Sequence, residues 1–198
     1  MKTLGLDPQR DLPWPSRRGL TWVSLLLLLL GIAGVCPPVA AEDPCLKLVF
    51  GRYCLGGDVN PLLQANPQPL ARQTEGNSLA LVFPEDPDEL YVLAFGGRIY
   101  KVVRSYRAAT QLRFDELYAL LREKYGPGED QSRFPEQACT PGRRLASIRR
   151  GEGRALQVWK PSDAWHIELS WTRELGLSLA YIADAIEAER ETQLARGL

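Results

Sequence analysis

A pair of glycines at positions 96 and 97 divides two apolar runs and constrains the fold more than any other feature of the sequence. Two successive glycines readily adopt the positive φ angles that a two-residue β-hairpin turn requires. Residues 90–95 and 98–106 are therefore predicted to form paired antiparallel strands. Residues 79–83 form a further strand, joined to the hairpin by an acidic, proline-containing turn at residues 84–89. This half of the chain is thus predicted to be an antiparallel meander.

Three helices are predicted outside the meander. Residues 114–125 carry apolar side chains at helical spacing and are followed by a glycine that ends the helix. A short helix is expected at residues 58–64, begun by a capping aspartate. The polar stretch up to Ser78 is predicted to be a loop, and a charged helix from about Asp184 closes the chain.

The second half of the chain contains apolar segments separated by turns, predicted as strands at residues 143–150, 154–160, 165–173 and 175–181. This order of strands and helices indicates an α+β fold. We expect an antiparallel sheet of about five to seven strands with helices packed on one face.

The register of two of these strands can be predicted from their apolar residues. A four-residue turn at residues 161–164 pairs Val158 with Ile167. The same register pairs Leu156 with Leu169, whereas a shorter turn would set these side chains opposite polar ones. The preferred register predicts a shared core face made of Ala146, Ile148, Leu156, Val158, Trp165, Ile167, Leu169 and Trp171.

The N-terminal segment has the order of a secretory signal peptide. A basic region at residues 1–19 precedes an apolar segment at residues 20–35, and small residues precede a cleavage point after Ala41. We therefore expect residues 1–41 to be a signal peptide and residues 42–198 to be a single α+β domain, periplasmic or secreted.

Two alternatives to ordinary secretion stay open. Without cleavage, residues 20–36 would anchor the chain in the membrane, and the domain would still face the periplasm. The consecutive Arg17 and Arg18 also resemble a twin-arginine export signal, although the leucine-rich segment is more hydrophobic than such signals usually are. Both export routes lead out of the cytoplasm.

The charge balance limits the expected partners. Lysine and arginine number 24, and so do aspartate and glutamate, whereas nucleic-acid-binding domains usually have a basic excess. We expect no nucleic-acid partner and no membrane insertion of the cleaved domain, and an envelope protein as the partner class. The sequence has one histidine and lacks Cys-X-X-Cys pairs and phosphate-binding glycine motifs. We predict no metal and no cofactor.

Three cysteines lie beyond the predicted cleavage point: Cys45, Cys54 and Cys139. One disulfide and one free thiol are expected in an oxidising compartment. Cys45 and Cys54 would lie about 13 Å apart on a continuous helix, so a bridge between them needs a bend, for which Gly51 is the expected position. We favour Cys45–Cys54, and a bridge from either cysteine to Cys139 stays open.

The candidate binding residues are Trp159, His166 and Glu168. In the preferred register, His166 shares the outer face of its strand with Glu168 and Ser170 and lies opposite Trp159. Neighbours on one face of a strand are about 7 Å apart, a gap that a ligand or a water molecule can bridge. The competing interpretation is a solvated sheet face. No catalytic residue is predicted, because alternation along one strand does not build a hydrogen-bonded relay.

A second candidate is an arginine-rich segment, interpreted as either an anion site or exposed hairpin ends. Its members are Arg143, Arg144, Arg149, Arg150 and Arg154. Because side chains alternate along a strand, these arginines are not expected to form one flat patch.

The segment from Tyr53 to Asp58 (Tyr-Cys-Leu-Gly-Gly-Asp), followed by Leu62 and Leu63, resembles the strand–Leu-Gly–helix element of BamE-like and beta-lactamase-inhibitor-like domains. These are small exported bacterial α+β modules. The resemblance implies an envelope location and a similar architecture, and no functional residue is carried over from it.

Two functions follow from these observations. The favoured one is a non-enzymatic accessory or protein-interaction module of the bacterial envelope. The alternative is a small hydrolase or small-ligand-binding protein that uses Trp159, His166 and Glu168. A pocket that converges on His166 would favour the alternative, and a flat exposed sheet face there would count against it.

Overall fold

The computed structural model describes residues 45–64 and 68–197, where it contains ten strands and four helices. The strands are β1 (Lys47–Val49), β2 (Tyr53–Leu55), β3 (Ala71–Glu75), β4 (Ser78–Glu85), β5 (Asp88–Phe95), β6 (Arg98–Tyr106), β7 (Glu129–Asp130), β8 (Ala155–Trp159), β9 (Trp165–Thr172) and β10 (Gly176–Ala183). The helices are α1 (Asn60–Leu63), α2 (Gln111–Tyr125), α3 (Pro141–Arg150) and α4 (Asp184–Arg196).

The main sheet has eight antiparallel strands in the order β3-β4-β5-β6-β10-β9-β8-β7. The α+β class is confirmed, but the predicted number of strands was too low. The two edge strands explain much of the difference in strand number. Strand β3 lies where a loop was predicted, and all of its residues are exposed. Strand β7 is two residues long. Neither edge has the apolar alternation by which a strand is recognised.

Helices pack on both faces of the sheet, which corrects the expectation that one face is covered. On one face, Phe114 of α2 stacks on Trp171 of β9, with ring centroids 6.3 Å apart. On the other, Asp184 at the start of α4 contacts His166 of β9. Successive residues of a strand point to opposite faces. We name the face of Trp171 the aromatic face and the face of His166 the ionic face.

Residues 143–150 lie in helix α3, where a strand was predicted. The side chain of Thr140 accepts the backbone N–H of Arg143 at 3.4 Å, and Pro141 occupies the first turn, where its missing N–H costs no hydrogen bond. Gly151 ends the helix in the left-handed conformation, with φ of 76°. These end signals outweigh the alternating pattern between them.

The predicted hairpin and the three predicted helices are confirmed, the short one as α1 within residues 58–64. Gly96 and Gly97 have φ angles of 56° and 83° and join β5 to β6. Helix α2 begins before the predicted first residue, because the Thr110 hydroxyl accepts the backbone N–H of Arg113 at 3.2 Å and caps the helix. Helix α4 begins at the predicted Asp184.

The register between β8 and β9 differs from the predicted one by a single residue. Trp159, not Val158, pairs with Ile167. Seven residues, 160–166, lie between this pair, whereas the predicted pairing of Val158 with Ile167 would leave eight. A shift of one residue exchanges the two faces of a strand. Trp159 therefore lies on the aromatic face, and Leu156 and Val158 lie on the ionic face.

The alternation predicted along β9 is confirmed on the aromatic face. Its four apolar side chains are each less than a tenth exposed and belong to the main core; they are Trp165, Ile167, Leu169 and Trp171. Of the remaining residues predicted for that core face, Ile148 is buried in the same core from helix α3.

A disulfide joins Cys45 to Cys54, with the two Cα atoms 5.3 Å apart. The chain reverses between β1 and β2 at Phe50 and Gly51, both with positive φ, which is the bend that the pairing required. The ring of Phe50 packs edge-on against Tyr181, which attaches this ribbon to the aromatic face. Cys139 is an exposed free thiol.

The predicted signal peptide (residues 1–41) and the alternative anchor (residues 20–36) lie outside the described residues. Within the described ranges, no helix is both long and apolar enough to span a bilayer.

Candidate functional site

His166 lies at the centre of a group of charged side chains on the ionic face. Its side chain is 15% exposed, and its Nδ1 atom contacts the Oδ1 atom of Asp184. The Nε2 atom lies 3.7 Å from the Oε1 atom of Glu168. Both ring nitrogens thus face carboxylates, one from the neighbouring helix and one from the same strand.

Lys101 of β6 extends this group toward helix α4. Its Nζ atom donates to Oε2 of Glu168 at 3.4 Å and lies 3.7 Å from Oε1 of Glu187. We call the five side chains the ionic cluster: Lys101, His166, Glu168, Asp184 and Glu187. Because Asp184 and Glu187 belong to α4 while the others belong to the sheet, the cluster binds that helix to the ionic face.

The pKa values within the ionic cluster move in different directions. Hydrogen bonding to Glu168, followed by Asp184, raises the pKa of His166 above 6.5 although burial opposes this. Burial would raise the pKa of Glu168, yet His166 and Lys101 lower it. Burial raises the pKa of Glu187, with a further contribution from the charge of Glu168. The arrangement therefore stabilises a protonated histidine beside an ionised Glu168.

The structure does not bring Trp159 to His166, which corrects the predicted binding patch. Trp159 lies on the aromatic face, where its indole N–H donates to the carbonyl oxygen of Gly126 at 2.9 Å and its ring packs against Tyr118. His166 and Glu168 do share one face, as predicted. That face is covered by α4 near His166 and is not a solvated surface there.

The ionic cluster makes the stability of the protein depend on pH. Since the pKa of His166 is raised in the folded protein, its stabilising contribution is fully present below the unfolded-state pKa of about 6.5. The contribution is lost as the pH rises through the higher folded-state pKa. We expect the free energy of unfolding, measured in urea, to fall as the pH rises above about 6.5.

His166→Gln is the matched variant for this measurement, because the protein has a single histidine. We expect its unfolding free energy to vary less over the same pH interval than that of the wild type. An equal decline in both proteins would show that another group causes the pH dependence.

A cleft of about 150 Å³ opens on the aromatic face between α2, α3 and the sheet. We call it the α2–α3 cleft. The stacked rings of Phe114 and Trp171 and the small side chain of Ala155 contribute to its apolar lining. Leu145 and Ile148 of α3 line it from the helix. The cleft thus combines a flat aromatic surface with aliphatic side chains, the lining typical of small-molecule sites.

Polar side chains of both charges also line the α2–α3 cleft. Asp130 accepts the backbone N–H of Ser132 at 3.0 Å. Hydrogen bonding to the Ser132 side chain, supported by Arg144 and Gln157, lowers the pKa of Asp130 against the effect of burial. Arg144 donates from Nε to the carbonyl oxygen of Ala138 at 3.3 Å, and its guanidinium lies 5.2 Å from the centroid of the Phe134 ring. The cleft therefore has an ionised carboxylate and an oriented guanidinium.

Sequence reasoning missed the α2–α3 cleft because it treated residues 143–150 as a strand. Among the arginines of residues 143–150, Arg144 lines the cleft. Arg150 instead forms an ion pair, with its Nη2 atom 2.6 Å from the Oε2 atom of Glu152. The signal that identifies the site is the pair of helix ends, Thr140 with Pro141 and then Gly151.

No protein-family model matches the sequence, and no curated protein matches it. A cysteine-rich secretory protein from Staphylococcus aureus subsp. aureus Mu50 is similar in structure over 72% of this chain, at 12% sequence identity and a TM-score of 0.40. This chain covers 49% of that protein, about half of its length. A likeness of this size indicates neither a shared family nor a shared function. The resemblance to BamE-like and beta-lactamase-inhibitor-like modules stays a prediction.

Proposed function

We propose that the protein is a non-enzymatic binding module that acts outside the cytoplasm, with the α2–α3 cleft as its ligand site. The observation that supports this proposal is the combination of Phe114, Trp171, Asp130 and Arg144 around one cavity. Clefts with an apolar, aromatic lining and a few polar groups are the usual form of small-ligand sites.

The location outside the cytoplasm is supported by the disulfide between Cys45 and Cys54. Such bonds persist in oxidising compartments and are rare in the cytosol. The predicted signal peptide points to the periplasm, where an envelope protein is the expected partner class. A cavity of this size also accepts a single side chain of such a partner, which is how many interfaces are anchored.

A hydrolase centred on His166 is less well supported. A general base must reach the proton that it abstracts, and both ring nitrogens of His166 already face carboxylates beneath helix α4. Trp159, the aromatic part of that hypothesis, lies on the other face. The same residues are better explained as the attachment of α4.

Small phenyl compounds test whether the α2–α3 cleft binds ligands. The probes are benzyl alcohol, phenethylamine, 3-phenylpropionate and L-phenylalanine. We expect at least one of them to shift the NMR signal of the Trp171 indole N–H, because that ring lines the cleft. Ala155→Leu places a larger side chain in the cleft and should weaken binding by about tenfold or more.

Ala119→Leu is the matched control, because Ala119 is an exposed residue of α2 that does not line the cleft. It should leave the affinity unchanged. If no probe shifts the Trp171 signal, or if Ala155→Leu binds as tightly as the wild type, the cleft is not the ligand site and the proposal fails.

A further inference from the structure

We propose that the α2–α3 cleft selects small zwitterions that carry an apolar group, of which a free aromatic α-amino acid is the simplest. This inference rests on the proposed function, since it assigns a ligand class to the same cavity. It follows from three features of the cleft: its negative group, its positive group and the size of its apolar part.

The negative group is Asp130. Its carboxylate accepts a hydrogen bond from the backbone N–H of Ser132 at 3.0 Å. The residue itself lies opposite Gln157 in the β7–β8 ladder. Hydrogen bonding to Ser132 lowers the pKa of Asp130, so the side chain is ionised at neutral pH. An ionised carboxylate in a fixed position favours a ligand with an ammonium group, because a charge-assisted hydrogen bond is stronger than a neutral one.

The positive group is Arg144. One of its donors is occupied by the carbonyl oxygen of Ala138, and its guanidinium lies over the ring of Phe134. These contacts orient the planar group at the cleft. The geometry of a guanidinium suits a carboxylate ligand, which can accept two parallel N–H donors.

The presence of one group of each sign discriminates against singly charged ligands. A cation that Asp130 attracts is repelled by Arg144, and an anion experiences the reverse. A zwitterion satisfies both residues at once. Specificity of this kind depends on repulsion of the wrong ligand as much as on attraction of the right one.

The apolar part of the ligand is limited by the cavity. Its volume of about 150 Å³ equals that of an engineered apolar cavity known to bind benzene, so one phenyl ring is a suitable occupant. The Phe114 and Trp171 rings offer it aromatic neighbours. The ammonium and carboxylate of an amino acid would remain at the exposed polar side chains.

The phenyl compounds above separate these features, because each has the same ring and a different head group. In isothermal titration of the intact domain, we expect L-phenylalanine to bind about tenfold more tightly than phenethylamine or 3-phenylpropionate. Benzyl alcohol, which lacks both charges, should bind more weakly than L-phenylalanine.

Two variants that each remove one charge should weaken the binding of L-phenylalanine but strengthen the binding of one singly charged probe. A purely structural role would not produce such opposite changes in affinity. Asp130→Asn should weaken L-phenylalanine binding about tenfold and strengthen 3-phenylpropionate binding. Arg144→Gln should weaken L-phenylalanine binding and strengthen phenethylamine binding. Both residues are exposed, and circular dichroism verifies that each variant is folded.

The outcomes separate this inference from the proposed function. If phenethylamine or 3-phenylpropionate binds at least as tightly as L-phenylalanine in the wild type, the zwitterion assignment is overturned while the ligand site stands. If both variants change all the affinities in the same direction, the assignment is also overturned. If no compound binds, both proposals fail.

Discussion

Replacing Leu169 by alanine is expected to lower the free energy of unfolding by about 3 kcal/mol. Leu169 is completely buried in the middle of β9, between its cross-strand partners Leu179 and Gln157. The substitution removes apolar contacts and leaves a cavity, because strands on both sides prevent the core from collapsing around it. Urea unfolding monitored by circular dichroism measures the change.

Leu120→Ala is the control for this experiment. The side chain of Leu120 is 61% exposed on α2, so the same chemical change should alter stability by less than about 0.5 kcal/mol. Similar losses in the two variants would contradict the location of the core on the aromatic face.

Removing the disulfide by replacing Cys45 and Cys54 with serine is expected to destabilise the protein by about 2–3 kcal/mol. The bridge closes a short loop, because the two cysteines are nine residues apart in the sequence. Opening it enlarges the ensemble of unfolded chains, and this lowers the relative stability of the folded state. Denaturant unfolding of the oxidised wild type and the double variant gives the difference.

Cys139→Ser serves as the control, because Cys139 is exposed and carries no disulfide. It should unfold at the same denaturant concentration as the wild type. A double variant as stable as the oxidised wild type would show that the bridge does not stabilise the domain. A bridge to Cys139 would be indicated if Cys139→Ser caused the larger loss.

The parts of the fold that could be predicted are those with strong local signals. Gly96 and Gly97 readily adopt the positive φ angles that a two-residue hairpin turn needs, so the hairpin could be predicted. The alternation of β9 was also evident, because one face of that strand is buried and the other is polar. Helix α2 has apolar spacing and a glycine at its end. In each case local sequence and tertiary packing favour the same structure.

The parts that were missed depend on information that lies outside a single segment. The register of β8 differs by one residue from the one that its apolar residues favoured, and the burial of Trp159 accompanies that shift. The edge strand β3 has no apolar face of its own and is held by pairing with β4. Such segments become extended because they pair with a neighbouring strand in the assembled sheet.

The candidate site could likewise be predicted only in part. His166 and Glu168 could be placed on one face from alternation. The contact of His166 with Asp184 and that of Lys101 with Glu187 depend on where α4 docks. The α2–α3 cleft could not be found while residues 143–150 were taken as a strand. A cavity between elements far apart in sequence becomes visible only when each of them has been assigned correctly.

The position of β10 within the sheet has a consequence for the order of assembly. This strand lies between β6 and β9 and is the last one in the sequence. The meander of β3 to β6 and the group of β7 to β9 therefore stay without their shared neighbour until residues 176–183 have emerged, from the ribosome or from an export channel. A chain that ended before β10 would leave two half-sheets with open edges, which are sites of wrong pairing with other chains. Completion of the sheet thus waits for the strand that is made last among its eight.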